Sequence, residues 1–242
     1  MLAVLMMLGV NTHTFYLSFY LQSAKGLTPV QSGIRLLPYL LSVTVAELVT
    51  GAGVSKFGYY MPFMVFGTTI YTVAASLLCT LQVKTPSGHL VAFQILAGIG
   101  FGSSLNICAT VVRANVRDED IAIAAALAGF APTFGSLLAA GIGQNIFRTA
   151  LTKKLLQTFD GVETAAIVKA GATGGVGIVA EAMKGVVREA YNVAVKRTFV
   201  ISAVAGGLGL LCTLGLKWRN INEPLKEDAK VEVVEEEGNG EK

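Results

Sequence analysis

The sequence predicts an all-α polytopic membrane protein, a bundle of six transmembrane helices. Hydrophobic residues make up 53% of its 242 residues and charged residues 14%, whereas soluble domains carry about 25% charged residues. Mean hydropathy is +0.60. Roughly 20 apolar residues in a helix cross the ~30 Å hydrocarbon core of a bilayer. Six stretches of this kind are nearly free of charge: Met1–Ala24, Leu36–Val54, Met61–Val83, Leu90–Val112, Ile121–Phe147 and Phe199–Leu216.

Helices are favoured over barrel strands because the stretches are continuously apolar, and a helix satisfies its own backbone polar groups in hydrocarbon. Glu47 is the one full charge well inside a stretch. Cys79, Cys108 and Cys212 lie in different stretches without neighbouring His or Cys, which predicts neither a disulfide frame nor a metal site.

The connections between stretches are short, except for residues 148–197. Short connections make neighbouring spans antiparallel. In the long connection, apolar residues at helical spacing over Ala165–Lys169 and Val179–Val195 predict amphipathic helices at the membrane interface rather than a seventh span. The glycines of Gly171–Gly177 imitate a dinucleotide-binding turn, but the strands and helices of that fold are missing, so we interpret them as a hinge.

Charge is divided unevenly along the chain. Residues 222–242 hold eight acids and three lysines without periodicity, so 221–242 is predicted to be a disordered tail that follows a bundle over 1–220. The basic residues flank apolar spans, which does not favour a nucleic-acid partner. Lys and Arg in the short loops place the tail in the cytoplasm, whereas those in the long connection place it outside.

Catalytic groups and cofactor-binding residues are not recognisable in the sequence. His13 and His89 lie far apart, and no nucleophile has a plausible base beside it. We therefore expect neither an enzyme nor a bound cofactor.

A polar stripe marks the first span. Its members fall at i, i+3, i+7 and i+11 and share one helix face, which must meet other helices or a wet cavity because unpaired polar groups are costly in hydrocarbon. Cavity lining and interhelical bonding both remain open. The stripe is Asn11, Thr14, Ser18 and Gln22, with Gln94 and Asn106 as candidate partners in the fourth span.

Glu47 is a functional-site candidate, since an acid inside a span can relay a proton or meet a cation. It also lies about two turns from Ser55, where the helix is expected to reach the interface and a carboxylate can be hydrated. Both interpretations remain open.

Small residues repeat every fourth position in two spans, which predicts close helix contact, either fixed or sliding. Pro132 predicts a kink in the fifth span. The two series are Gly98, Gly102 and Asn106, and Gly135, Ala139 and Gly143.

The segment Phe15–Pro38, FYLSFYLQSAKGLTPVQSGIRLLP, closely resembles a segment of the major facilitator superfamily. The likeness is to the fourteen-span drug:proton antiporters of fungi, of the toxin and multidrug efflux type, where their C-terminal six-helix half begins. Further matching segments are Gly51–Phe63, Gln94 with Gly98 and Gly100, Gly141–Phe147, Ala170–Thr173 with Ala190–Tyr191, and Lys217–Arg219.

This resemblance implies that the six spans are the family's last six, with the tail cytoplasmic and residues 148–197 exterior. The N-terminal half, which carries the family's proton-coupling acid, would be absent. Pro132 and Glu47 depart from the family pattern. The implied substrate path comprises Asn11, Thr14, Ser18, Gln22, Glu47, Gln94, Asn106, Phe130 and Phe134, and the implied cytoplasmic gating loop comprises Gly51, Ser55, Lys56 and Gly58.

The resemblance further implies efflux of a small molecule in exchange for protons, from a multi-pass protein of the plasma membrane or, alternatively, the vacuolar membrane. The missing N-terminal half and the lipid bilayer are the expected partners. A transport-dead fragment, or a regulatory membrane partner of a complete transporter, is the alternative function.

Overall fold

The computed structural model of the chain describes residues 1–105, 107–108, 111, 116, 118–177 and 179–216. The predicted all-α fold class is confirmed, because these residues form eight α-helices and two short 3-10 helices. Helix α1 (Leu2–Phe19) continues through a π-helical turn, Tyr20–Ala24. It is followed by α2 (Pro29–Ile34), α3 (Leu37–Phe57), α4 (Met61–Leu78), α5 (Ser87–Gly102), α6 (Ile121–Leu155), α7 (Gly161–Gly177) and α8 (Lys184–Leu214).

Five helical segments of the described chain are long and apolar enough to cross a membrane. The predicted fourth span corresponds to α5, an apolar helix of 16 residues. The remainder of the stretch Leu90–Val112 includes positions outside the described residues, as does the tail predicted to be disordered. The five segments are Leu2–Ala24, Pro29–Phe57, Met61–Leu78, Ile121–Leu155 and Glu181–Leu214.

The turns between helices carry recognisable signals. Thr28 caps α2. The backbone N–H of Gln31 donates to the Thr28 hydroxyl, and the backbone N–H of Thr28 donates to the side-chain oxygen of Gln31, both at 3.3 Å. This reciprocal capping box, with Pro29 at the first helical position, fixes where the helix begins. Gly58 ends α3 with φ 72°, a left-handed conformation in which glycine avoids the Cβ penalty.

The last two spans are longer than the sequence predicts. Helix α6 continues past Phe147 to Leu155, and α8 begins at Lys184 rather than at Phe199. The prediction of a separate interfacial helix over Val179–Val195 is therefore wrong, because residues 184–195 form the first part of α8. The apolar spacing runs on into the span without a helix breaker, through the buried residues Val187, Tyr191, Val195 and Phe199.

The chain bends within the predicted glycine segment, at Gly171, and whether this bend acts as a hinge stays a prediction. This residue has φ 75° and ψ −167° and breaks α7 into two helical segments. Helix α6, in contrast, continues as one helix through Pro132. The hydroxyls of Thr133 and Ser136 beside the proline donate to the carbonyls of Gly129 and Pro132.

Helix α1 packs against α6 and α8, α4 against α5 and α8, and α3 against α5. Small residues allow these contacts, as the two series predict. A Cβ atom at Gly98 would lie 2.7 Å from the Tyr39 carbonyl oxygen of α3, and one at Gly143 would lie 2.9 Å from the Tyr16 ring of α1. The close packing is confirmed, and Asn106 lies outside the described residues.

One end of the bundle is tied together by Lys25. Its ammonium group donates to the carbonyls of Val83 and Thr85 at 2.7 and 2.6 Å, which joins the turn after α1 to the turn after α4. Tyr20 reinforces the contact by donating to the Gln82 carbonyl at 2.6 Å. Partial desolvation, together with the charge of Arg35, lowers the pKa of Lys25.

We expect Gly98→Ala to destabilise the chain by roughly 1–3 kcal/mol, because the added methyl group overpacks the α3–α5 contact. Gly88→Ala is the matched control on α5, since a Cβ atom there meets nothing within 4 Å. Thermal unfolding of the purified chain in detergent, followed by circular dichroism, measures both. A Gly98→Ala chain as stable as the Gly88→Ala chain would contradict this packing.

Candidate functional site

A small polar groove runs between α1 and α6, with a volume of about 180 Å³. Asn11 joins its two sides, since its side-chain amide donates to the Ser136 hydroxyl at 2.9 Å. On α6, Ser136, Ala140 and Gln144 repeat every fourth residue and so share one face. The groove is lined by Asn11, Thr12, Phe15, Tyr16, Ser136, Ala139, Ala140 and Gln144.

Aromatic rings continue this surface along α1. The ring centroids of Phe15 and Phe19 lie 5.1 Å apart, and Phe147 of α6 lies 5.1 Å from Tyr16 and 5.4 Å from Phe19. Phe15 is 54% exposed. A groove with amides and a hydroxyl on an apolar, aromatic background suits a small amphipathic molecule, because a few placed polar groups orient a ligand that apolar contacts hold.

The predicted polar stripe is only partly in this groove. Asn11 is exposed and lines the groove, whereas Thr14, Ser18 and Gln22 are half-buried and do not. Ser18 donates to the carbonyl of Thr14 at 3.3 Å, within its own helix. Thr12, Phe15 and Tyr16, which line the groove beside Asn11, were not predicted. The faces of α1 differ because its neighbours differ, and helix periodicity alone does not reveal those neighbours.

Gln94 is buried at 1% exposure on α5, and both atoms of its amide lack a hydrogen-bond partner among the described residues. It makes no hydrogen bond to the predicted stripe. Its proposed companion Asn106 lies outside the described residues.

Glu47 is half-buried on α3, and in the described part of the chain it forms no ion pair. Phe130 and Phe134 lie on an exposed face of α6, with stacked rings 5.7 Å apart. Neither Glu47 nor these two aromatic residues line the α1–α6 groove.

The predicted gating residues lie together at the end of α3. Gly51, Ser55 and Lys56 are exposed, and Gly58 is the left-handed residue that ends the helix. Gly53 lets Phe63 of α4 approach, since a Cβ atom at Gly53 would lie 2.6 Å from the Phe63 ring. This turn is therefore short and closely packed.

His13 is the residue that the sequence did not single out. It is 1% exposed, and its Nδ1 lies 3.2 Å from the Tyr71 hydroxyl. The Tyr39 ring meets it edge-on at 5.1 Å. One turn earlier, the Gly9 carbonyl accepts from the Ser202 hydroxyl at 2.8 Å. Helices α1, α3, α4 and α8 thus meet around one buried imidazole.

Several polar atoms around this imidazole are unsatisfied. His13 Nε2, the Thr14 hydroxyl and the Tyr39 hydroxyl are buried without a hydrogen-bond partner among the described residues. Buried polar groups are usually paired, so such atoms need an explanation. The signal available in the sequence was a single histidine in an apolar span, together with a tyrosine in each of two neighbouring spans. Only the packing brings them together.

In the described part of the chain, no cluster of three or more His, Cys, Asp and Glu side chains could hold a metal ion. Several helices long and apolar enough to cross a membrane, with a groove of polar and aromatic side chains between two of them, define an integral multi-pass membrane protein.

Comparisons with known proteins agree with this class. The chain is 30% identical over 235 residues to the MFS-type transporter ltbE of Aspergillus luteorubrus, covering 97% of this chain and 42% of that protein. It is 33% identical over 204 residues to the efflux pump hmp6 of Hypomyces subiculosus, covering 84% and 36%. The MFS-type efflux pump MFS1 of Trichophyton rubrum is 28% identical over 86% of this chain and 39% of that pump. No family model matches.

Over most of its length the chain is similar to fungal transporters and efflux pumps of the major facilitator superfamily. It spans about two fifths of the length of the curated relatives it matches. That share agrees with the resemblance to their C-terminal half.

We expect cysteines at Asn11 and Gln144 to react with a membrane-impermeant maleimide in proteoliposomes, because a polar groove holds water and the reagent requires a hydrated thiol. The background chain carries alanine at its three native cysteines. Leu17→Cys is the buried control, since Leu17 is 1% exposed, and Leu211→Cys is the exposed apolar control at 66%. Labelling at Leu211→Cys without labelling at Asn11→Cys would show that the groove is dry.

Proposed function

We propose that the chain forms one half of an efflux transporter that exports small molecules in exchange for protons. In the proposed mechanism two six-helix bundles rock about a site near the bilayer midplane, and this chain supplies one wall of that site. The α1–α6 groove is the proposed part of the wall that contacts substrate. Phe130 and Phe134 are proposed to extend it.

Unequal burial of the helices is the observation that carries this proposal. In the apolar membrane-spanning segment of α6, 11% of the residues are buried, and in that of Pro29–Phe57, 22% are buried. The corresponding share in Leu2–Ala24 is 50%. Two helices of one bundle therefore present broad apolar faces, as expected where a second bundle packs. The relatives are more than twice as long as the matched segment, which leaves room in them for that second bundle.

The proposed orientation follows the family resemblance. The loop with Gly51, Ser55, Lys56 and Gly58 would face the cytoplasm and gate the path, and α7 would lie on the exterior side. We infer the plasma membrane as its location, with the vacuolar membrane as the alternative.

Proton antiport needs a group within the membrane that binds and releases a proton. Glu47 of α3 and His13 of α1 are two such groups within apolar helices. The exposed position of α3 favours Glu47 as a contact for substrate cations, whereas the enclosed position of His13 favours a role away from substrate.

A chimera tests the function. Residues 1–216 of this chain replace the aligned segment of the Hypomyces subiculosus efflux pump in a yeast strain that lacks its own exporters. We expect the chimera to lower the accumulation of some members of a panel of cationic, neutral and acidic fluorescent dyes. Asn11→Leu with Gln144→Leu should reduce that export, and Thr69→Val, on an exposed face of α4, should not.

Residues 1–242 expressed alone are the control, and we expect no export from them because one wall of the path is missing. A well-expressed chimera that exports no dye, while the parent pump does, would favour the transport-dead fragment or regulatory partner. Export by residues 1–242 alone would contradict the assignment of half a transporter.

We expect Glu47→Gln in the chimera to weaken export of cationic dyes by about fivefold, equivalent to ~1 kcal/mol, and to affect neutral dyes less. The amide keeps the size of the side chain but loses the charge that attracts a cation. Dye efflux and the accompanying pH change are both measured. Complete loss of export for every dye, at unchanged expression, would identify Glu47 as a coupling residue and contradict this prediction.

His13→Gln is the matched comparison. Glutamine retains a group that can bond to the Tyr71 hydroxyl but does not take up a proton. If His13 serves proton exchange, this variant lowers export of cationic and neutral dyes alike. Selective loss of cationic dyes would instead place His13 with Glu47 at the substrate.

A further inference from the structure

A second cavity, of about 740 Å³, lies between α7 and the ends of α1, α6 and α8. This volume is in the range of about 300–1,000 Å³ typical of ligand pockets. The cavity shares Gln144 with the α1–α6 groove.

The charged side chains in the lining of the cavity have one sign, although Asp160 directly precedes the lining residue Gly161. Arg148 of α6 and Lys169 of α7 both line it, and none of the described residues in its lining carries a carboxylate. Glu163 is close in sequence on α7 but is exposed and is not part of the lining. The cavity is therefore electropositive and suited to an anion.

The remaining wall is largely apolar. Phe19 and Phe147 contact each other there, and Leu151 and Val168 lie beside them. Because Arg148 directly follows Phe147 on α6, the charged and apolar parts of the cavity lie next to each other.

Thr164 adds a polar contact inside the cavity. Its side chain is 2% exposed, and its hydroxyl has no hydrogen-bond partner among the described residues. A buried hydroxyl without a partner destabilises the fold. A ligand oxygen held between the two cations is a chemically suitable acceptor for it.

The wall formed by α7 is fixed rather than loosely placed. The Tyr191 hydroxyl of α8 donates to the Gly171 carbonyl at 2.7 Å, at the point where left-handed Gly171 bends α7. A Cβ atom at Gly175 would lie 2.5 Å from the same hydroxyl, so only glycine allows α7 to approach α8 so closely there.

We propose that this cavity binds an amphiphile with one anionic head group and an apolar body. Arg148 and Lys169 hold the phosphate or carboxylate, Thr164 donates to it, and the apolar body lies along Phe19 and Phe147. Arg and Lys form charge-assisted hydrogen bonds to phosphate and carboxylate groups, while their stems and the neighbouring side chains offer apolar contact to the body of the ligand. A phospholipid of the bilayer and a small acidic molecule share this chemistry.

Binding to the purified full chain in neutral detergent tests the proposal without requiring transport. Native mass spectrometry measures the retention of phosphatidylglycerol, phosphatidylcholine, oleate and dodecyltrimethylammonium. We expect at least one of the two anionic probes to bind about tenfold more tightly than phosphatidylcholine and the cationic probe, the effect of a charge-assisted contact. Retention of phosphatidylglycerol alone identifies a lipid site, and retention of oleate alone identifies a site for small acids.

Substitutions locate the binding. Arg148→Gln with Lys169→Gln should remove the tenfold preference. Lys153→Gln with Lys154→Gln also removes two positive charges, but from a part of α6 outside the cavity, and should preserve the preference. Thr164→Val should weaken anion binding severalfold without lowering the unfolding temperature of the chain alone, because the unpaired hydroxyl is removed.

Equal retention of the anionic probes and phosphatidylcholine would overturn the proposal. So would an unchanged preference in the Arg148→Gln/Lys169→Gln chain. Either result leaves the dye-export chimera unaffected, so failure of this site and failure of the transport function are distinguishable.

Discussion

In hydrocarbon no water is available, so each polar group of the chain needs a partner within the protein. The helices meet this requirement for their backbones, and many Ser and Thr hydroxyls meet it by donating to the carbonyl four residues earlier. Apolar helices can therefore carry small polar residues without exposing them to lipid. Examples lie in α1, α4 and α8 and in the turn after α5: Thr12 to Leu8, Thr72 to Thr68, Thr198 to Ala194, and Ser104 to Gly100.

The polar atoms that do not follow this pattern are concentrated where several helices meet. The imidazole of His13, the Tyr39 hydroxyl and the Gln94 amide are larger groups, and each has a buried atom without a hydrogen-bond partner among the described residues. Such atoms cost free energy unless water or another polar group meets them.

The sequence predicts those features that depend on local pattern. Apolar length gives the order of the long helices, the spacing of Gly98 and Gly102 gives the close α3–α5 contact, and the glycines after residue 170 give the bend in α7. It does not predict that α8 begins at Lys184, because helical spacing continues unchanged across the membrane boundary. It also misses His13, whose importance arises from Tyr39 and Tyr71 on other helices.

The bundle exposes two kinds of surface, the apolar faces of α3 and α6 and the groove between α1 and α6. Lipid is as apolar as leucine, so the exposed side chains of α3 and α6, such as Leu48 and Leu137, cost little in a bilayer even when no second bundle covers them. The groove with Asn11, Ser136 and Gln144 is different. The Asn11 amide donates to the Met7 carbonyl and the Ser136 hydroxyl, but its oxygen and the exposed Gln144 amide would lose hydrogen bonds if they faced lipid. The apolar faces therefore allow the proposed second bundle to pack, whereas the groove adds a separate need for polar surroundings.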